Sequence, residues 1–183
     1  MRVLGLSGSL RRESHNTRLL LAAAGLLPAG SELEVFDGLA AIPPFSEDDE
    51  HVPPPSVVAL KDAIAEADAV LFVTPEYNGS IPGQLKNALD WVSRPRASTP
   101  LAGKPVAVIG ASIGLFGAVW AQAELRKVLS TIGARVLERD LPIGQAHEAL
   151  DADGLPREDE ARKAVQQVLA GLIELTDELA VAA

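Results

Sequence analysis

The chain has 183 residues, 48% of them apolar, which suits one globular domain spanning 1–183 with a substantial core and argues against disorder. Its formal charge of −9 argues against general affinity for nucleic acid or anionic membranes, and no run approaches the ~18 to 20 apolar residues of a membrane span. Without cysteine there are no disulfides, no thiolate metal sites and no thiol nucleophiles.

Met1 leads directly into a strand-like run with no signal-peptide pattern, so a cytoplasmic location is expected. The first 18 residues hold four arginines against Glu13 alone, a local charge of +3 in an acidic protein, as an anion site would need. Val3–Leu6 reads as a buried strand. A small-residue turn follows, and Leu19, Leu20, Ala23, Ala24 and Leu27 mark a helix that stops near Pro28 and Gly30. A helix start offers free N–H groups and a positive dipole end. Ser9, Ser14 and Thr17 add hydroxyls, Asn16 an amide, and Arg11 or Arg12 a full charge. Two readings follow: a phosphate pocket, or a helix merely capped by Ser14 or Asn16. The glycine patterns of the P-loop and of dinucleotide-binding turns are both absent, which favours a mononucleotide.

Residues 32–36 alternate apolar and polar and suit a strand at the sheet edge. The long connection over 37–56 carries five prolines and the acidic run Glu47–Glu50 beside His51. Contiguous carboxylates cannot all converge on one ion, so this is a solvated loop rather than a metal site. Val57, Leu60, Ile64 and Ala67 mark a second helix.

Ala69–Val73 is short, apolar and unbroken, as a strand buried on both faces should be. The stretch PEYNGSIPGQLKNALDW, residues 75–91, then gives a loop and a helix. Ser80 is the expected N-cap, with Pro82 in the first turn and Leu85, Ala88, Leu89 and Val92 facing the core. The loop concentrates hydrogen-bonding groups: the Glu76 carboxylate, the Tyr77 phenol, the Asn78 amide and the flexible backbone of Gly79. Arg94–Gly103 is a connector whose arginines suit a partner subunit or an anionic substrate.

Pro105–Ile109 is the fourth strand, running into a turn with Gly110, Ser112, Gly114 and Gly117. Ala121, Leu125, Val128, Leu129 and Ile132 mark the next helix; residues 134–137 with Leu141 supply a short fifth strand. A last helix carries Ala161, Val165, Val168, Leu172, Leu175 and Leu179 on one face. Strands alternating with helices give an α/β, three-layer, doubly wound five-stranded parallel sheet, flavodoxin-like, with strand order 2-1-3-4-5. In that order the loops after strands 1, 3 and 4 are neighbours at one end of the sheet, and three ordinary-looking turns become one concave site.

The segments GSLRRESHN, from Gly8 to Asn16, and PEYNGSIPGQLKNALDW resemble the NADPH-dependent FMN reductase family, which includes quinone, chromate and azo-dye reductases. The resemblance implies FMN as cofactor, with its phosphate in the first loop at Ser9, Leu10, Arg11, Ser14, Asn16 and Thr17. It implies that Pro75, Glu76, Tyr77, Asn78 and Gly79 run along the flavin ring and that Ser112 and Gly114 close the site. Members often carry glycine and an aromatic where this chain has Glu13 and His15; a carboxylate at 13 suits a phosphate site only if it points to solvent. The implied cycle is ping-pong: NADPH or NADH reduces the flavin, then a quinone, flavin, chromate or azo-type acceptor takes its place. Chemistry then rests on FMN, assisted by the backbone of Tyr77, Asn78 and Gly79, with no catalytic side chain and no metal. A homodimer or tetramer is implied as well, for which Trp91, Val92, Pro95 and Trp120 are candidate anchors against the alternative that the tryptophans are core. Two rival classes are a flavodoxin-type electron carrier and a flavin-free binding module on the same fold.

Overall fold

The structure, a computed structural model, describes residues 1–182. Five strands run in parallel in the order β2-β1-β3-β4-β5: β1 is Arg2–Ser7, β2 Glu32–Phe36, β3 Ala69–Thr74, β4 Pro105–Ala111 and β5 Arg135–Val136. The fifth position is shared. β5 pairs with the start of β4, and a second short piece, β6 at Pro142–Ile143, pairs with its end. The buried Gln122 of the following helix ties the start of the second piece to the loop after β4: its Oε1 accepts from Leu141 N while its Nε2 donates to the Gly117 carbonyl.

Side-chain alternation along the strands divides the core into two layers. On one face Val70, Phe72, Val106 and Val108 pack against α2 (Pro55–Glu66), α3 (Gly83–Val92) and α4 (Val119–Ile132). On the other, Ala69, Leu71, Val73, Ala107 and Ile109 meet α1 (His15–Ala23) and α6 (Asp159–Ala182). Every residue of β3 and β4 is buried, as their unbroken apolar runs require, while β2 at the edge keeps Glu32 and Glu34 in solvent. Gly5 lets α1 sit close: a Cβ there would come within 2.7 Å of Leu20. None of the helices among the described residues is long and apolar enough to cross a membrane.

The connection between β2 and α2 is not loose. Polar side chains of α3 hold it: Gln84 donates to the carbonyls of Leu39 and Ile42, and Asn87 and Trp91 both donate to the Pro43 carbonyl at 2.8 Å. Asn87 also accepts from Phe45 N, and the Phe45 ring meets Trp91 edge-on, with centroids 5.1 Å apart. Trp91 is only 1% exposed and Val92 is fully buried, so neither is available as an interface anchor; their surroundings are core. Ser80 is not the cap of α3 either. That helix starts at Gly83 behind Pro82, and Ser80 is spent in the turn before it.

Candidate active site

The carboxyl ends of β1, β3 and β4 lie side by side, with Ser7 paired to Val73 and Thr74 to Gly110. The loops that leave them enclose a cavity of about 270 Å³ lined by Ser9, Arg11, Ser14, Asn16, Pro75, Glu76, Tyr77 and Ser112, and also by His15, Ala111 and Ile113.

The first wall begins where β1 ends. Gly8 passes so close to α3 and β3 that a Cβ would come within 3.0 Å of Leu85 and 3.1 Å of the Thr74 hydroxyl. Ser14, in extended conformation, is the N-cap of α1, and its hydroxyl accepts from Thr17 N. The N–H groups of His15 and Asn16 lie ahead of the helical ladder and form the positive end of the helix dipole. The other polar groups of this segment are partly committed. Thr17 and Ser7 share a hydrogen bond between hydroxyls at 2.8 Å, and the buried Asn16 amide is joined to the backbone of Ala111. Leu10 is exposed outside the cavity, and Glu13 points to solvent. Burial lowers the pKa of His15 below its usual value, and the charges of Arg18, Arg11 and His147 lower it further.

In the second wall, Asn78 and Gly79 have φ of 54° and 73°, closing a two-residue turn in which Tyr77 and Ser80 exchange both backbone hydrogen bonds. Positive φ at both central positions is what an Asn-Gly pair adopts most readily. The turn stands at the rim, with Asn78 and Gly79 outside the cavity lining and Tyr77 52% exposed. Glu76 reaches across to the third wall: its carboxylate accepts from Trp120 N and Ala121 N, both at 3.1 Å, at the start of α4.

The third wall runs from Ser112 to Gly117. Its backbone is pressed against residues 142–145, with Ser112 N donating to Ile143 O and Gln145 N to Gly114 O. Glycine is required on both sides: a Cβ on Gly117 would come within 2.5 Å of Ile143 N, and one on Gly144 within 2.2 Å of Leu115 O. The Ser112 hydroxyl donates to Gly114 O, and Gly114 itself does not line the cavity. Ile113 is 69% exposed at the mouth. His15 read in the sequence as a helix-start residue rather than a site residue, and Ile113 was not singled out. Each carried a signal, His15 as the one ring between two polar cap residues and Ile113 as an apolar residue in a glycine-rich turn.

The family model described as NADPH-dependent FMN reductase matches residues 1–148. The chain belongs to the NADPH-dependent FMN reductase family. An NAD(P)H-dependent FMN reductase of Pseudomonas aeruginosa is 44% identical over 174 residues, covering 94% of this chain and 93% of the relative. A 2-hydroxy-1,4-benzoquinone reductase of a Burkholderia species is 38% identical, covering 91% of each chain. Among solved structures, FerB, a flavoenzyme NAD(P)H:(acceptor) oxidoreductase from Paracoccus denitrificans, superposes with a TM-score of 0.86 at 36% identity and 97% coverage of both chains. A WrbA-like flavodoxin from Agrobacterium tumefaciens, at 20% identity and a TM-score of 0.61 over 96% of this chain and 97% of its own, shares the flavodoxin-like fold. Membership in the FMN reductase family makes this chain an oxidoreductase that depends on FMN and NAD(P)H.

Proposed function

We propose that the protein carries hydride from NAD(P)H, through FMN held between its three loops, to a small-molecule acceptor of the quinone type, in a ping-pong cycle. One observation carries this reading: three separate loops converge on one open cavity whose anion-binding groups come from one of them, the first loop with the start of α1. The residues fit the cofactor. Ser9, Arg11 and the first-turn N–H groups of α1 form an anion cradle suited to the FMN phosphate, and the one carboxylate of the segment, Glu13, is turned to solvent. FMN when bound supplies the redox chemistry, accepting hydride and passing on two electrons.

The chain's own residues bind, orient and exclude. Arg11 and Ser9 fix the phosphate and thereby the register of the ring. Pro75, Glu76 and Tyr77 flank the ring, and the N–H groups of Asn78 and Gly79, which take no part in the Tyr77–Ser80 exchange, are the donors for negative charge developing at its edge. Ser112 closes the far side, its hydroxyl held by the Gly114 carbonyl. Tyr77 and Ile113 leave the mouth open and apolar, which suits a planar quinone and admits flavin, chromate or azo-type acceptors to the same ring. Such a reaction draws on NAD(P)H and belongs in the cytoplasm. The reading includes a single domain over 1–183 and a homodimer or tetramer. Trp120, 51% exposed beside Glu76, is the anchor for that contact.

The test is direct. The protein should purify yellow, or quench FMN fluorescence with one-to-one stoichiometry, and NAD(P)H should bleach it until a quinone restores the colour. A colourless protein that leaves FMN fluorescence unquenched overturns the reading.

A further inference from the structure

We propose that the imidazole of His15 is itself a ligand of the cofactor phosphate, donating from Nε2–H, and that Arg18 fixes the tautomer that allows it. This rests on the FMN reading above. His15 lines the cavity between Ser14 and Asn16. Of its neighbours, which the sequence offered for the same role, the Asn16 amide is engaged with Ala111 and the Thr17 hydroxyl with Ser7, while the Ser14 hydroxyl accepts from Thr17 N and keeps its own O–H. The segment keeps Ser9, Arg11, the Ser14 O–H and two backbone N–H groups for the phosphate, and the His15 ring is a further side-chain donor that borders the cavity.

The tautomer follows from chemistry. Arg18 Nη2 lies 3.2 Å from His15 Nδ1. A guanidinium only donates, so Nδ1 is the bare, accepting nitrogen and the ring proton sits on Nε2. Nε2 has no protein partner among the described residues, which leaves an N–H free for a ligand. Arg18 is held in place. Its Nε is buried, and the turn at Gly154 packs so tightly on its backbone that a Cβ at Gly154 would come within 2.3 Å of it. The groups facing the ring are Arg18 from its own helix, Arg11 from the first loop and His147 from the short helix α5 (Ala146–Ala149), where His147 pairs with Glu148. Burial first, and then the charges of Arg18 and Arg11, disfavour the protonated ring, so it acts as a donor of fixed direction, and the two guanidinium charges favour an anion at its free edge.

The experiment measures FMN and riboflavin affinities of the flavin-free full chain by fluorescence quenching. The two ligands share the ring and differ in the phosphate. Wild type should prefer FMN by about a hundredfold or more, as expected for two or more bonds to a charged group. In His15→Phe that preference should fall about tenfold while riboflavin affinity holds, which also guards against misfolding. His15→Gln, which restores a side-chain N–H, should recover part of the loss, and Arg18→Met should lose less than His15→Phe. Nitrogen-15 spectra of the histidines provide a readout independent of affinity. His15 should appear as the Nε2–H tautomer, and its Nε2 resonance should move with FMN and stay with riboflavin. An unchanged FMN preference in His15→Phe, or a His15 resonance that responds equally to both flavins, overturns the proposal while leaving the FMN reading intact. Equal affinity of the wild type for the two flavins overturns both.

Discussion

Asn16 and Ala111, 95 residues apart, are joined by a pair of hydrogen bonds: Asn16 Nδ2 donates to the Ala111 carbonyl at 2.8 Å, and Ala111 N donates to Asn16 Oδ1 at 2.9 Å. The side-chain amide takes both main-chain groups of the last residue of β4, as a neighbouring strand would. It thereby ties the start of α1 to the start of the third loop. Two walls of the cavity are set relative to each other by one buried side chain.

Asn16→Ala should therefore damage the fold more than a phosphate contact. It leaves a buried N–H and a buried carbonyl without partners, at about 1–3 kcal/mol each, a large share of the roughly 5–15 kcal/mol that holds a domain together. The urea midpoint should drop markedly, and affinity for FMN and riboflavin should fall together. A variant of native stability with loss confined to FMN would show that Asn16 serves the phosphate instead.

Glu76 ties the second wall to the third through the two N–H groups at the start of α4. Glu76→Gln keeps an acceptor and loses the charge, so it should give up only the dipole interaction, typically 0.3–1 kcal/mol. Glu76→Ala removes the acceptor and should lose about 1–2 kcal/mol, as other lost N-terminal caps do. Thermal melts of the two variants should rank wild type above Gln and Gln above Ala. If Ala melts with the wild type, the contact has no energetic weight.

Gly144 lets the third loop lie against residues 142–145. In Gly144→Ala the new methyl would meet a backbone oxygen at 2.2 Å, which no side-chain rotation relieves. Backbone must move, and a loss of several kcal/mol is expected by comparison with other overpacked sites, which lose about 1–3 kcal/mol where side chains can yield. Gly83→Ala, with open space around it, is the control and should melt near the wild type. Equal stability of both variants would show that the third loop is free to shift.

Much of this was legible in the chain. β1, β3 and β4 are continuous apolar runs because both faces are covered, and the three loops follow from their order in the sheet. What escaped was nonlocal. Gln84 and Asn87 sit off the apolar stripe of α3, and nothing near them in sequence announces the proline-rich connection that they hold, 40 or more residues earlier in the chain. Ser80 looked like a cap because serine before a helix usually is one; here the Asn78–Gly79 turn takes its backbone first. The fifth strand read as one piece, whereas two short pieces pair with opposite ends of β4 and a side chain from α4, Gln122, holds Leu141 ahead of the second. Asn16 read as a donor for phosphate because nothing near it in sequence announces Ala111.

Acid should weaken the flavin-free protein partly through His15. Its pKa in the fold is lowered, chiefly by burial and then by the charges of Arg18, Arg11 and His147. Below the ordinary histidine value of about 6.5 the unfolded chain takes up the proton first, so stability rises with pH across that window. The contribution is complete above pH ~6.5 and is lost as pH falls through the lowered folded value. Between pH 7 and 5 the urea midpoint of His15→Asn should decline less than that of the wild type. Parallel declines would mean that His15 titrates as it does in the unfolded chain.

On the proposed placement of FMN, Arg11 and Tyr77 serve opposite ends of the cofactor, and their variants should separate the two. Arg11 borders the anion cradle, whereas Tyr77 stands at the rim beside Pro75 and Glu76. A bond between a guanidinium and a phosphate contributes roughly 1.5–3 kcal/mol, which is about tenfold to a hundredfold in affinity. Arg11→Ala should weaken FMN by that factor and leave riboflavin unchanged. Tyr77→Ala removes a flank of the ring that both flavins share, and should weaken both alike. Salt sharpens the contrast. Arg11 is exposed, so its pairing with phosphate is screened, and the FMN preference of the wild type should shrink between low and high ionic strength more than that of Arg11→Ala. Should Arg11→Ala lower both affinities equally, or Tyr77→Ala lower only that for FMN, the cofactor would lie the other way round in the cavity, with its phosphate towards the Asn78–Gly79 turn.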